Sequence, residues 1–229
     1  MSIDVNGTIE RLCSALCSVK ESRHSENFFN ELSVKLRSSD CKKSGVNDYG
    51  EPIAFKELAR VALIGDEALT LLKRRLWKTA NLTPLTEINQ FIRGFFGELI
   101  NYLIDDDFST VEDLFSKPLQ ETFELVVFEN GALMILPKKE TADLKVCGFN
   151  PGWGVPTETN LKTVCGAACA VYFNHRSFDL YDGYTHADND ALAVAYQAAM
   201  QEYSDLYYKV RDACSSLEFD SRAYFQLVD

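Results

Sequence analysis

Apolar residues recur at helical spacing through the first part of the chain, then give way to short, dense runs near its middle. Ile9, Leu12, Cys13, Leu16 and Cys17 share one face of a helix over residues 6–21. Phe28, Phe29, Leu32 and Leu36 continue at the same period, with Ser25 placed to cap them. The polar, glycine-bearing stretch DCKKSGVNDYGEP (40–52) breaks the pattern as a loop. After it, IAFKELARVALIGDEALTLLKRRLWKTA predicts two helices, the first opened by Pro52 and the second capped by Asp66 after a break near Gly65. A further helix is expected over residues 86–104. A short one follows, with Ser109 and Glu112 at capping-box spacing.

The pattern changes at residue 122. TFELVVFE and ALMILP are apolar runs of strand length separated by Asn130-Gly131, which predicts a hairpin. DLKVCGFN reads as a third antiparallel strand and PGWGVPTETN as a loop. Residues 161–178 are small or apolar nearly all round, the signature of a buried helix. DLYDGYTHADND (179–190) reads as an acidic loop that helps cap the next helix. A long helix from Ala191 to Cys214 and a short one near 219–228 complete the chain. The expected fold is α+β: a small antiparallel sheet of about three strands, packed by helices, in a unit spanning residues 86–229. An all-helical region, residues 1–85, precedes it.

Charge sharpens that division. The chain of 229 residues has a formal net charge of −11. Residues 1–80 hold thirteen Lys or Arg against eleven Asp or Glu, whereas residues 81–229 hold ten against twenty-three. The later part repels phosphates and favours basic protein surfaces, so direct DNA binding by it is disfavoured. No apolar run reaches the length of a membrane span, and no cationic start precedes an apolar N-terminal segment. Seven scattered cysteines read as free thiols of a reducing cytoplasm.

Several pieces in order give a resemblance. FELVVFENGALMILP carries Asn130, Gly131, Met134 and Pro137; VCGFNPGWG follows as a glycine-aromatic loop; CGAACAVYFNHRSF carries Asn174, His175 and Phe178; YYKVRDACSSLEFDSRAYFQLVD carries Arg211, Asp212, Arg222, Ala223 and Asp229. Over roughly residues 95–229 this succession resembles the ArdB/KlcA antirestriction proteins of plasmids, phages and genomic islands. Ala132 stands where that family has a second turn glycine, and TNLKTV replaces its Ser-Ala-Asp lead into the small-residue helix. The resemblance implies a cytoplasmic antidefence protein of a mobile element or phage. Such a protein inhibits a host nuclease system, such as type I restriction-modification, by binding it. It implies no enzymatic activity, no metal and no cofactor. The scaffold positions it implies are Asn130, Gly131, Pro137, Asn174, His175, Arg211, Asp212 and Asp229.

The residues themselves nominate partner-binding positions. Asp105, Asp106 and Asp107 with Glu112 and Asp113 follow a helix end, where carboxylates meet the negative pole of the helix dipole at a cost of ~0.3–1 kcal/mol each when exposed. Trp153 lies between two glycines, and Asp182 and Asp188 lie in the acidic stretch; these complete the candidate surface for a host defence complex, with self-association left open. Other chemistries are weaker. Cys13/Cys17 and Cys165/Cys169 are spaced to share helix faces but lack a second pair of zinc ligands in sequence. Asp179, Asp182, Asp188 and Asp190 do not follow the spacing of a calcium loop. His175 could serve a thiol nucleophile only if the fold brought a cysteine to it. The rival reading is a nucleic-acid-binding regulator using residues 52–80, in which LLKRRLWK would be the second helix of a helix-turn-helix.

Overall fold

The computed structural model describes residues 54–63, 65–76, 84–103, 114–139, 143–146, 157–216 and 218–228. In chain order these form strand β1 (Glu57–Ala62), helices α1 (Asp66–Leu76) and α2 (Pro84–Leu103), a short α3 (Leu119–Thr122), and strands β2 (Phe123–Phe128), β3 (Leu133–Pro137), β4 (Leu144–Val146) and β5 (Thr157–Thr159). Helices α4 (Leu161–Thr185), α5 (Asp190–Cys214) and α6 (Ser221–Val228) follow. The fold is α+β, with an antiparallel three-stranded sheet in the order β1-β2-β3 and a separate two-stranded sheet of β4 and β5.

The hairpin forms where Asn130-Gly131 predicts it. The φ of Gly131 is +84°, a left-handed conformation that a side chain would strain. Oδ1 of Asn130 accepts the Ala132 amide at 3.0 Å, and its Nδ2 donates to the Lys209 carbonyl on α5 at 2.7 Å. The turn is thereby tied to the longest helix pair. Leu125 and Val126 pair with Ile135 and Met134, and all four are buried. Burial on both faces explains why these strands read as continuous apolar runs.

Two expectations are corrected here. Residues 57–62, expected to be helical, form β1 and pair with β2. Ala59 and Val61 are buried while Arg60 and Ala62 are exposed, so the period is two. The Arg60 guanidinium also bridges Glu57 on its own strand and Glu124 on β2. The third strand of the sheet thus comes from within the region expected to be all helix, and the sheet spans the division placed at residue 85. Leu144–Val146 is a strand, as expected, but it pairs with β5 rather than with the hairpin. The far side of β2 is already taken by β1. On the outer edge of β3, the Ile135 amide points at Sγ of Cys169 on α4, 3.4 Å away.

Helix α4 runs through the centre of the described core. Asn160 caps it by accepting the Thr163 amide at 2.8 Å, and everything from Thr163 to Phe173 is buried. It packs on β3, α2, α5 and α6. The aromatic rings of Phe91, Tyr172 and Phe173 meet at 5.3–5.5 Å, and Phe95, Phe96 and Phe123 extend the cluster toward β2. Among the described residues no helix is long and apolar enough to cross a membrane.

Candidate functional site

Beyond Phe173 the character of α4 changes. The helix does not end near Phe178 but continues to Thr185, and α5 turns back alongside it after Asn189 caps its start by accepting the Leu192 amide at 3.0 Å. The stretch expected to be an acidic loop is therefore mostly helix: Asp182 lies on α4, and only Asp188 lies in the connection. The continuation is decided by packing. Leu180 is buried one turn past Arg176, and a Cβ on Gly183 would come within 2.6–2.9 Å of the Tyr196 ring, so the two helices close on each other there. The result is a two-helix arm reaching about 18 Å past Phe173 at 1.5 Å per residue.

The arm carries apolar surface outward. Phe178 is 63% exposed, Tyr181 52%, Tyr184 38% and Val194 64%. These residues account for four of the five large hydrophobic side chains that are exposed among the described residues, the other being Tyr208. The Tyr181 and Tyr184 rings lie 6.3 Å apart. Asp179, Asp182, Asp188 and Asp190 are all exposed along the arm, with the His186 ring 3.3 Å from Asp182. Residues 177–208 hold six carboxylates and no Lys or Arg. Asp182 and Asp188, nominated from sequence, thus lie exposed on the same arm as aromatic residues that were not nominated. Phe178, Tyr181 and Tyr184 are spaced three apart, a visible signal once the stretch is read as helix.

At the root of the arm sits a buried ionic group. Glu87, fully buried in the first turn of α2, accepts a hydrogen bond from Nη2 of Arg176 at 2.7 Å. The Tyr203 hydroxyl lies 2.8 Å from the other Glu87 oxygen and 3.0 Å from the Leu76 carbonyl, and can donate to either. Burial disfavours the charge on Arg176, but the hydrogen bond and charge of Glu87 outweigh it and raise the arginine pKa. Burial likewise raises the Tyr203 and Tyr172 hydroxyls far above the ordinary tyrosine range. Arg176 also faces Asp179 at 3.8 Å, linking this group to the arm. The cluster joins α1, α2, α4 and α5 at the point where the arm leaves the core.

The remaining sequence candidates fall elsewhere. His175 is half exposed and lies 3.3 Å from Glu98 on α2, and the Asn174 carbonyl accepts the Ser177 hydroxyl. Cys169 lies six residues before His175, about 9 Å along the axis, and Cys165 lies farther still. Cys214 packs against Gly166, nine residues before His175 on α4. These three thiols are fully buried, and burial pushes Cys169 up to about 12 and the other two well above the usual thiol value. The fold thus does not bring a described thiol to His175. Among the described residues no three His, Cys, Asp or Glu side chains converge as metal ligands. Arg211 stacks over Phe225 at 5.3 Å, and burial raises the Asp212 carboxyl to about 6 against the pull of Arg211. Pro137 ends β3, half-buried. The first helix that the rival helix-turn-helix reading of 52–80 requires is replaced by β1, while the second is α1 as far as Leu76, and Arg75 donates to the Gly131 carbonyl of the hairpin turn. Asp105, Asp106, Asp107, Glu112, Asp113, Trp153 and Asp229 lie outside the described residues.

No protein-family model matches the chain, and no curated protein matches it either.

Proposed function

We propose that this protein acts by occupying the surface of a partner protein, with the α4–α5 arm as its contact element. The single observation that carries this reading is the arm's exposed aromatic face, set among carboxylates. Exposed aromatic clusters on a rigid element are the usual anchors of protein interfaces, and a surrounding charge of one sign sets partner choice and encounter rate. A buried salt link at the arm's root holds that face in one orientation, which lowers the ordering cost of binding.

The resemblance to ArdB/KlcA proteins supplies the biological setting: a cytoplasmic antidefence factor that blocks a host nuclease complex such as a type I restriction-modification enzyme, without chemistry of its own. The test is survival of unmodified phage or plasmid DNA in cells carrying a defined type I system, with and without this protein. Wild-type protein is expected to raise survival, and a Phe178→Ser, Tyr181→Ser, Tyr184→Ser variant with unchanged circular dichroism is expected not to. Equal survival with and without the wild-type protein overturns the antidefence reading for that system. Full protection by the triple variant overturns the assignment of the arm.

A further inference from the structure

We infer that the arm's aromatic face receives an arginine-bearing, basic segment of a partner protein, with guanidinium groups stacked on Phe178, Tyr181 and Tyr184 and paired with Asp179 and Asp182. The inference rests on the protein-binding reading above and names what lies on the surface.

Three observations lead to this occupant. First, the apolar face is open: Phe178 and Tyr181 each expose more than half of their surface, and the Tyr181 and Tyr184 ring centroids lie 6.3 Å apart. At three-residue spacing the three rings step by about 60° round the helix, a shallow spiral that a single extended or helical segment can follow. Second, the arm brings no Lys or Arg of its own: residues 177–194 contain four carboxylates, Asp179, Asp182, Asp188 and Asp190, and no Lys or Arg. Arg176, the nearest cation on α4, is committed to buried Glu87 at 2.7 Å and reaches Asp179 only at 3.8 Å. Third, Phe178 and Asp182, four residues apart on α4, set a ring beside a carboxylate, a site for a cation that is planar, weakly hydrated and able to pair and stack at once. Arginine meets all three demands, and the compact, strongly hydrated lysine ammonium meets them less well. The same charge argues against other occupants: nucleic acid and anionic lipid are repelled, and so is the identical arm of a second copy.

The experiment uses the full chain and a fluorescein-labelled helical peptide with arginines at three- and four-residue spacing among leucines, read by anisotropy at physiological salt. A twin peptide carries lysine at every arginine. Wild-type protein is expected to bind the arginine peptide, and the lysine twin roughly threefold or more weakly. Tyr181→Ala with Tyr184→Ala, and separately Asp179→Asn with Asp182→Asn, are each expected to weaken binding. A control with Glu158→Gln and Asp205→Asn removes the same charge away from the aromatic face and is expected to leave affinity unchanged. Equal affinity for the two peptides overturns the inference. So does an effect of the control pair as large as that of the arm pair, which would mean attraction to bulk charge alone. If the arginine peptide fails to bind while the arm variant still loses protection in cells, the inference falls and the protein-binding reading stands. If the peptide binds as described but wild-type protein gives no protection, the occupant stands and the antidefence setting falls.

Discussion

Arg176 and Glu87 are joined across the core, Nη2 to Oε1 at 2.7 Å, although 89 residues separate them in sequence. Glu87 is completely buried and the Arg176 side chain is 13% exposed, and Tyr203 sits against the second carboxylate oxygen. Two helices are thereby held in register where α4 turns from a core element into an exposed arm. Position 87 belongs to the first turn of α2, so the positive end of that helix's dipole supports the carboxylate as well.

Removing one partner leaves an uncompensated buried charge. Arg176→Met strands the fully buried Glu87 carboxylate and is expected to destabilise the protein by about 3–5 kcal/mol. Glu87→Leu is expected to cost less, because Arg176 is only partly buried and still faces Asp179. The double variant is expected to cost less than Arg176→Met, because it leaves no orphan charge. Urea unfolding of the four proteins gives the cycle. Single and double variants that lose stability additively would show that the two side chains are not energetically coupled.

Cys169 has a role that neither zinc nor catalysis requires: its Sγ accepts the Ile135 amide at the outer edge of β3. Cys169→Ala removes that acceptor in a dry site and is expected to cost about 1–3 kcal/mol, while leaving the overall circular dichroism unchanged. Native-state amide exchange at Ile135 is the specific readout. Protection there that does not fall in the variant argues against the bond.

Gly94 admits the Tyr172 ring onto α2: a Cβ at this position would stand 2.3 Å from Cδ2 and 2.4 Å from Cε2. Both groups are fixed by a packed core, so Gly94→Ala is expected to destabilise by about 1–3 kcal/mol despite alanine's better helix propensity. Combining it with Tyr172→Leu, which withdraws the ring, is expected to recover part of the loss. A melting temperature at or above wild type for Gly94→Ala would contradict the close approach.

Asp212 gives a pH signature. Burial raises its carboxyl from 3.8 to about 6, with Arg211 opposing the shift. Between those values the folded protein holds a proton that the unfolded chain has released. The stability this group contributes is present below about pH 4 and is lost as pH rises toward and past about 6. Asp212→Asn is therefore expected to melt higher than wild type at pH 7 to 8, with the difference shrinking toward pH 4. A difference that is constant across the range would assign the effect to something other than titration of this carboxyl.

What the sequence by itself determined is whatever depends on neighbours along the chain. The Asn130-Gly131 turn, the strands around it, the small-residue helix beginning at Leu161 and the helix ending at Cys214 all follow from local periodicity, turn chemistry and capping. Tertiary structure decided the rest. Residues 57–62 carry a pattern compatible with either helix or strand, and it was the open side of β2, with Glu124 ready for Arg60, that made them β1. Polarity suggested a loop at 179–190, yet Leu180, Gly183 and Tyr196 pack α4 against α5 and carry the helix on to Thr185. The arm with its outward aromatic face, and the Glu87–Arg176 link beneath it, exist only because distant segments meet. Burial and long-range pairing override local preference there, since removing apolar surface from water and satisfying a buried charge each outweigh the few tenths of a kcal/mol that separate one local conformation from another.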